Sequence, residues 1–319
     1  MVMRYKQSVL WRQLYPVRKR IYPLKKRLYA GVRKLYHLTR AKLELRSLQS
    51  TYKRRYGSAI ITAIDPRDEM YRFIADHWDW PYHAVHMADR AYAIHGYLGS
   101  ADRHMRELED VLLEAGRPLP QVRSFLEFAC GHGRMTRFLV HRLDRSRITV
   151  SDINPSAVAF TCNTFAVQGF RSVEDPRDLL HDGRYEVIFV GSLFSHLNHA
   201  YWGAWLQRLY SLLSDRGLLI FSTHGLRVLD EIYGDEAKSQ LETAVDGFSF
   251  IRTNETDGRL PTSYYGATFV TEPYVKDFVQ ANALGRLEAF HPAKLNFQDV
   301  YVLEKTPTDS AIASNAREG

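Results

Sequence analysis

The stretch Ser124-Phe125-Leu126-Glu127-Phe128-Ala129-Cys130-Gly131-His132-Gly133-Arg134 constrains this chain more than any other. Its nearly continuous apolar run, with one acid inside, reads as a parallel strand covered on both faces. Glu127 is then costly unless it finds a partner. Gly131 and Gly133 allow a sharp turn and let a ligand approach where a Cβ would collide with it. A helix predicted over 134–142 would aim its amide dipole at the same place. Thr136 stands where the third glycine of a dinucleotide fingerprint would fall, and glycines at a strand-to-helix turn also serve purely structural ends. A second predicted strand, Ile148 to Asp152, ends in an acid about twenty residues on, where a carboxylate can accept both hydroxyls of a ribose. Asn154 and Pro155 then start another helix.

The alternation of strands and helices continues. Phe170 to Val173 reads as a short third strand ending at Glu174-Asp175-Pro176, and Tyr185 to Val190 as a fourth closing at Gly191-Ser192. Beyond the fourth stand Phe194, His196 and His199, then an amphipathic helix through Trp205, Leu206 and Leu209. Ser214 to Gly217 reads as a turn into a fifth strand, Leu218 to Ser222, which delivers His224-Gly225 to the same rim. Leu226 to Val245 reads as two helical pieces; Phe248 to Arg252 and Tyr264 to Val270 can pair across Thr256-Asp257-Gly258. Such an insertion is a natural lid. Thr271 caps a helix expected to reach Ala283, and Leu287 to Phe290 with Phe297 to Leu303 supply two closing strands.

At this point the chain resembles the class I S-adenosylmethionine-dependent methyltransferases. It is most similar to bacterial members that carry Phe128-Ala129-Cys130-Gly131-His132-Gly133-Arg134, Asp152-Ile153, Gly191-Ser192-Leu193-Phe194-Ser195-His196-Leu197, His224-Gly225 and Gln298-Asp299-Val300 in this order, and that often accompany glycan-building enzymes. The resemblance covers about residues 80 to 305 and implies an α/β, Rossmann-like, seven-stranded and mostly parallel sheet. It implies S-adenosylmethionine as cofactor, held by Glu127, Ala129, Gly131, Gly133, Arg134, Asp152, Ile153, Gly191 and Ser192. An acid after the third strand contacts the adenine amino group in such enzymes; Glu174 or Asp175 can do so, or both simply start the next helix. Ala129 departs from the usual glycine and adds a methyl group beside the cofactor.

The expected division is a basic amphipathic extension over 1–58, a helical cap over 59–120, a cofactor-binding domain over 121–305 with a lid insertion at 226–270, and a flexible tail over 306–319. In the resembling enzymes the segment before the nucleotide fold covers part of the active site, which singles out Tyr82, His86 and Tyr92 among its many aromatics. The plainer reading makes these aromatics the core between cap helices. His83 and His86 share a helix face but lack a third ligand, so no metal site is expected.

The net charge of +7 conceals a division: residues 1–56 carry seventeen Lys and Arg against Glu44 alone, which leaves −9 for the rest. A seven-residue repeat, Leu14-Tyr15, Ile21-Tyr22, Leu28-Tyr29, Leu35-Tyr36, sets an apolar and tyrosyl stripe among these cations. Pro16 and Pro23 disfavour helix over the first repeats, whereas 24–49 suits one amphipathic helix lying on an anionic membrane surface. Nucleic acid, a partner helix and an inert arm are the competing readings. No apolar run is long enough to span a bilayer and no secretory leader is legible; with Cys130 and Cys162 the only cysteines, a cytoplasmic protein, peripheral on the inner face of the membrane, is expected.

The reaction implied by the resemblance is in-line methyl transfer, in which the protein aligns the reactants and removes a proton from a hydroxyl nucleophile. His196 is the candidate base and His224 an orienting or alternative base, against the plainer reading of both as satisfied loop histidines. Tyr82, His86, Tyr92, His199, Tyr265 and Gln298 are the candidate acceptor contacts. An N-P-P-Y loop for amine acceptors is missing at the fourth strand, as are a lysine for ribose methylation and an acid cluster of the catechol type. A sugar hydroxyl of a glycan or glycolipid remains, with an RNA methyltransferase and an idle scaffold as alternatives.

Overall fold

The computed structural model describes residues 50–57, 63–65, 67–68, 71, 90–229, 247–253 and 259–307 of the chain. Most of the basic extension, Tyr82, His86, the side chain of Tyr92, the centre of the insertion and the end of the tail lie outside these residues. Two compact units are formed, the first from residues 1–62 and 69–97, the second from 63–68 and 98–319. In the first, residues 50–56 are helical, and Tyr52 is buried and stacks on Tyr56. Among the described residues no helix is long and apolar enough to cross a membrane.

The second unit is built on a seven-stranded sheet. Strands β1 (Phe125–Phe128), β2 (Ile148–Asp152), β3 (Gln168–Arg171), β4 (Tyr185–Val190) and β5 (Leu213–Thr223) run parallel; β8 (Arg286–Leu295) and β9 (Gln298–Glu304) close the sheet antiparallel. The order β3-β2-β1-β4-β5-β9-β8 is that of the class I methyltransferase fold, so the expected architecture is present. A second sheet pairs β6 (Phe248–Ile251) with β7 (Ala267–Val270) antiparallel; the second strand starts three residues later than the Tyr264 expected, and the expected turn at Thr256-Asp257-Gly258 lies outside the described residues.

Apolar continuity explains the placement. Every residue of β1 is buried, and five of the six in β4 are, as central strands under two helical layers require. β3, exposed at three of four positions, takes the edge. Helix α1 (Arg90–Glu114) precedes the sheet; α2 (Thr136–Leu139) and α3 (Pro155–Phe165) follow β1 and β2. Helix α4 (His199–Ser211) buries Trp202, Trp205, Leu206 and Leu209 in a core shared with Phe128, Ile188 and Phe221. Burying a side chain of this kind contributes about 1.5–3 kcal/mol.

Four expectations are corrected. The helix after the glycine turn covers 136–139 rather than 134–142, because successive bonds such as His141 N–H to Phe138 O tighten it into 3₁₀ turns. A single turn carries little of the dipole expected there. The third strand starts and ends two residues earlier than its apolar pattern suggests. The turn at Ser214–Gly217 is instead a bulge inside β5: Arg216 has φ +59°, and a Cβ on Gly217 would stand 2.9 Å from the Tyr185 carbonyl oxygen. The helix begun at Thr271, α6 (Glu272–Ala281) after the single turn α5 (Leu226–Val228), stops two residues early, where Asn282 donates its side-chain amide to Phe278 O and Ala283 turns left-handed.

Strand order reverses between β1 and β4, and ligands of open α/β sheets sit beyond the strand ends at such a point.

Candidate active site

The loop after β1 is built from left-handed residues. Ala129 has φ +60°, Gly131 +53° and Gly133 +71°. The two glycines do different work. A Cβ on Gly133 would fall 2.7 Å from the Phe165 ring, so this glycine lets α3 pack; a Cβ on Gly131 would meet nothing within 4 Å, so this one keeps a space open. Asp152 Oδ2 accepts the Gly131 amide at 2.8 Å, and Oδ1 accepts that of Asn154 at 2.9 Å. The acid at the end of β2 therefore shapes the glycine loop and starts α3 at once. Asn154 caps that helix and Pro155 occupies its first turn, as expected.

Glu127, fully enclosed beneath the loop, finds its partner in Thr136, whose hydroxyl donates to Oε2 at 2.6 Å. Desolvation outweighs this bond and raises the carboxyl pKa to about 7. The residue that replaces the third glycine is thus the one that satisfies the buried acid, and a hydroxyl nine positions after a buried glutamate was the only sequence signal for it. Arg134 donates to Ser100 Oγ at 3.0 Å and stands 3.3 Å from His104 Nδ1, so its guanidinium ties the loop to α1. Ile153 offers its carbonyl to Arg171 Nε.

Of the acids after β3, Asp175 caps the 3₁₀ turn Pro176–Asp178, and Arg177 pairs with it and lowers its pKa to about 2. Its carboxylate accepts the Arg177 amide at 3.0 Å and so starts the turn. Glu174 instead lies opposite the Tyr264 phenol, which burial and then this carboxylate push upward in pKa. Tyr264 also stacks on Tyr201, with ring centroids 4.8 Å apart.

Beyond β4, Ser192 adopts φ +65°, donates its amide to Ser222 Oγ at 2.8 Å and its hydroxyl to Gln298 Oε1 at 3.2 Å; Ser222 donates to the same oxygen at 2.7 Å. The starts of the β4 loop and of β9 and the end of β5 are locked together through one amide oxygen. Gly191 precedes this knot, its would-be Cβ 3.3 Å from the Phe189 ring.

His196 and His224 meet at the rim with ring centroids 6.0 Å apart at 73°. His196 Nδ1 lies 2.9 Å from the Gly266 carbonyl oxygen, and Tyr265 stacks on the imidazole at 4.9 Å and 10°. A carbonyl only accepts, so Nδ1 carries the hydrogen and the lone pair falls on Nε2. His224 is buried; desolvation first, then His196, depress its pKa to about 3, against a backbone hydrogen bond at Thr268. It stays neutral at ordinary pH, which suits an orienting wall better than a proton acceptor. His199, at the start of α4 and exposed, has its ring beside Phe248 and Tyr274. A separate cleft lined by Arg117, Arg123, Glu186 and Arg216 opens at the opposite ends of the strands, where the Arg123 amide donates to Glu186 Oε2.

The glycine loop after β1 and the histidine-bearing rim after β4 both leave the sheet at its switch point. Residues 126–219 match a family model described as a methyltransferase domain. Among curated proteins, the chain is 36% identical over 110 residues to a malonyl-[acyl-carrier protein] O-methyltransferase of Bacillus cytotoxicus, covering 34% of this chain and 38% of that protein. It is 30% identical over 118 residues to the protein of the same name in Bacillus cereus, covering 37% and 43%. The chain thus spans less than half the length of the curated relatives it matches. Among solved structures, an S-adenosylmethionine-dependent methyltransferase of Clostridium acetobutylicum overlays with a TM-score of 0.47 and 11% identity, over 67% of this chain and 97% of that one.

Proposed function

We propose that the chain is an S-adenosylmethionine-dependent O-methyltransferase. The observation that carries the reading is Gly131: its left-handed backbone, the open space where a Cβ would stand and its amide held by Asp152 build a cradle at the switch point, inside the segment similar to methyltransferase domains. Glu127, Ala129, Gly133, Ile153, Glu174, Gly191 and Ser192 are the residues we assign the remaining cofactor contacts. The cofactor when bound supplies an electrophilic methyl group.

The acceptor is a sugar hydroxyl of a glycan or glycolipid. As its oxygen takes the methyl group, its proton passes to His196 Nε2, while neutral His224 and the Ser192–Gln298 knot hold the rim. A second reading follows from the curated relatives, whose name makes a malonyl group their acceptor. A carboxylate is already ionised and needs no base. Activity on malonyl thioester that survives His196→Gln supports the carboxylate; activity on an alkyl glycoside lost in that variant supports the hydroxyl.

Residues 1–56, with seventeen cations and a tyrosyl repeat, attach the enzyme to an anionic lipid surface on the cytoplasmic face; nucleic acid is the alternative. Flotation of the full chain with phosphatidylserine vesicles, with and without competing RNA, separates the two. For the enzyme itself the deciding experiment is calorimetric titration with S-adenosylmethionine: micromolar binding weakened in Asp152→Asn is expected, and heat-silent titration of the wild type would refute the proposal.

A further inference from the structure

The insertion reaches the rim as a short strap over 261–268. It docks on the loop 194–198 through backbone bonds in both directions: Gly266 N–H to His196 O at 2.7 Å, Asn198 N–H to Tyr264 O at 2.9 Å, with Leu197 bridging Tyr265 and the Thr268 hydroxyl donating to Leu197 O. The strap opens with a turn in which the Tyr264 and Tyr265 amides donate to Pro261 O at 3.2 and 3.1 Å. From this turn Tyr264 meets Tyr201, and Tyr265 meets His196. Gly266 must lack a side chain for this, since a Cβ there would stand 2.4 Å from the Ile251 carbonyl oxygen of β6.

We propose that Tyr265 is the positioning residue of His196: its ring holds the imidazole in the one plane from which Nδ1–H meets the Gly266 carbonyl, and so keeps the basic lone pair on Nε2. The role rests on the reading of His196 as base and deepens it. A near-parallel ring centred 4.9 Å away blocks tilting on one side, and the His224 ring, centred 6.0 Å away at 73°, further limits the turn of the imidazole about its Cβ–Cγ bond. Without Tyr265 the imidazole can leave the carbonyl, and the hydrogen redistributes between the two nitrogens. The backbone ladder would persist, because none of its bonds uses the Tyr265 side chain.

The test is ¹H–¹⁵N correlation of the histidine rings in the full chain at alkaline pH, with the His196 signals identified by their loss in His196→Gln. Wild type and Tyr265→Phe are expected to show the Nδ1–H tautomer alone, and Tyr265→Ala both tautomers, with cooperative thermal unfolding retained. S-adenosylmethionine affinity should stay within twofold, and methyl transfer to an octyl glycoside should fall on the order of 10²-fold, the cost of a misplaced reacting group. A single tautomer retained in Tyr265→Ala overturns the proposal. Should that variant not fold, Tyr265→Leu is judged by the same criterion. Methyl transfer undiminished in His196→Gln would sink the base reading while leaving the tautomer result standing, so the two failures are distinguishable.

Discussion

Replacing Glu127 by Gln isolates the electrostatics of the glycine loop. The carboxyl is enclosed under the glycine turn, and desolvation, opposed by the Thr136 hydroxyl and the Arg134 charge, raises its pKa from 4.5 to about 7. For an acid whose folded pKa lies above its unfolded value, the folded state binds more protons between the two. Its stabilising share is therefore complete below pH 4.5 and is lost as pH climbs through 7. A shift of this size corresponds to about 3 kcal/mol at 1.36 kcal/mol per unit. Glutamine cannot ionise and still offers an oxygen to Thr136. Urea denaturation followed by near-ultraviolet circular dichroism should show wild type and variant equal at pH 4.5, and the variant ahead by about 3 kcal/mol at pH 8. Saturating S-adenosylmethionine, a cation, should favour the carboxylate and narrow the gap. Parallel stability curves over this range would refute the reasoning, since they would mean that Arg134 and Arg137 already compensate an ionised Glu127.

His224 gives the opposite slope: its pKa falls from 6.5 to about 3 on folding, so its stabilising share is complete above pH 6.5 and is lost as pH drops toward 3, by at most roughly 4 kcal/mol. His224→Phe should flatten that acid limb in the same urea assay. Gly133→Ala meets the Phe165 ring at a left-handed position and should lose about 2–4 kcal/mol of stability. Gly131→Ala, facing open space, should lose only about 1 kcal/mol yet weaken S-adenosylmethionine binding tenfold or more, read by calorimetry. Ala129→Gly relieves a left-handed alanine and should leave stability level or up to about 1 kcal/mol higher, with cofactor binding no weaker.

The sheet was legible where side chains alone decide it. β2 and β4 occupy the ranges their sequence suggests, with Ile148 and Val150 buried in the one and Val187 to Val190 in the other, because buried parallel strands favour apolar residues. The pairing of β6 with β7 followed from the same logic, whereas the bulge at Arg216–Gly217 did not, since it answers to the register of a neighbouring strand. Glu174 and Asp175 looked alike in sequence. Arg177, two positions on, takes Asp175, and Tyr264, ninety positions on, faces Glu174; only the first is a local relation.

The site shows the same limit from the side of the backbone. Ala129 and Ser192, at the ends of the two central strands, both turn left-handed, and nothing in an alanine or a serine announces that conformation. Both stand where the chain must leave a buried strand and turn at once toward helices on opposite faces of the sheet. The glycine usual at position 129 in the resembling enzymes thus has a backbone reason, independent of any contact with cofactor. At Ser192 the turn is held by a side chain of β5 and one of β9, which places the histidine loop by hydroxyl and amide groups outside its own sequence. His196 could be named from its position after β4; the groups that contact its imidazole, the carbonyl of Gly266 and the ring of Tyr265, arrive from an insertion seventy residues later in the chain.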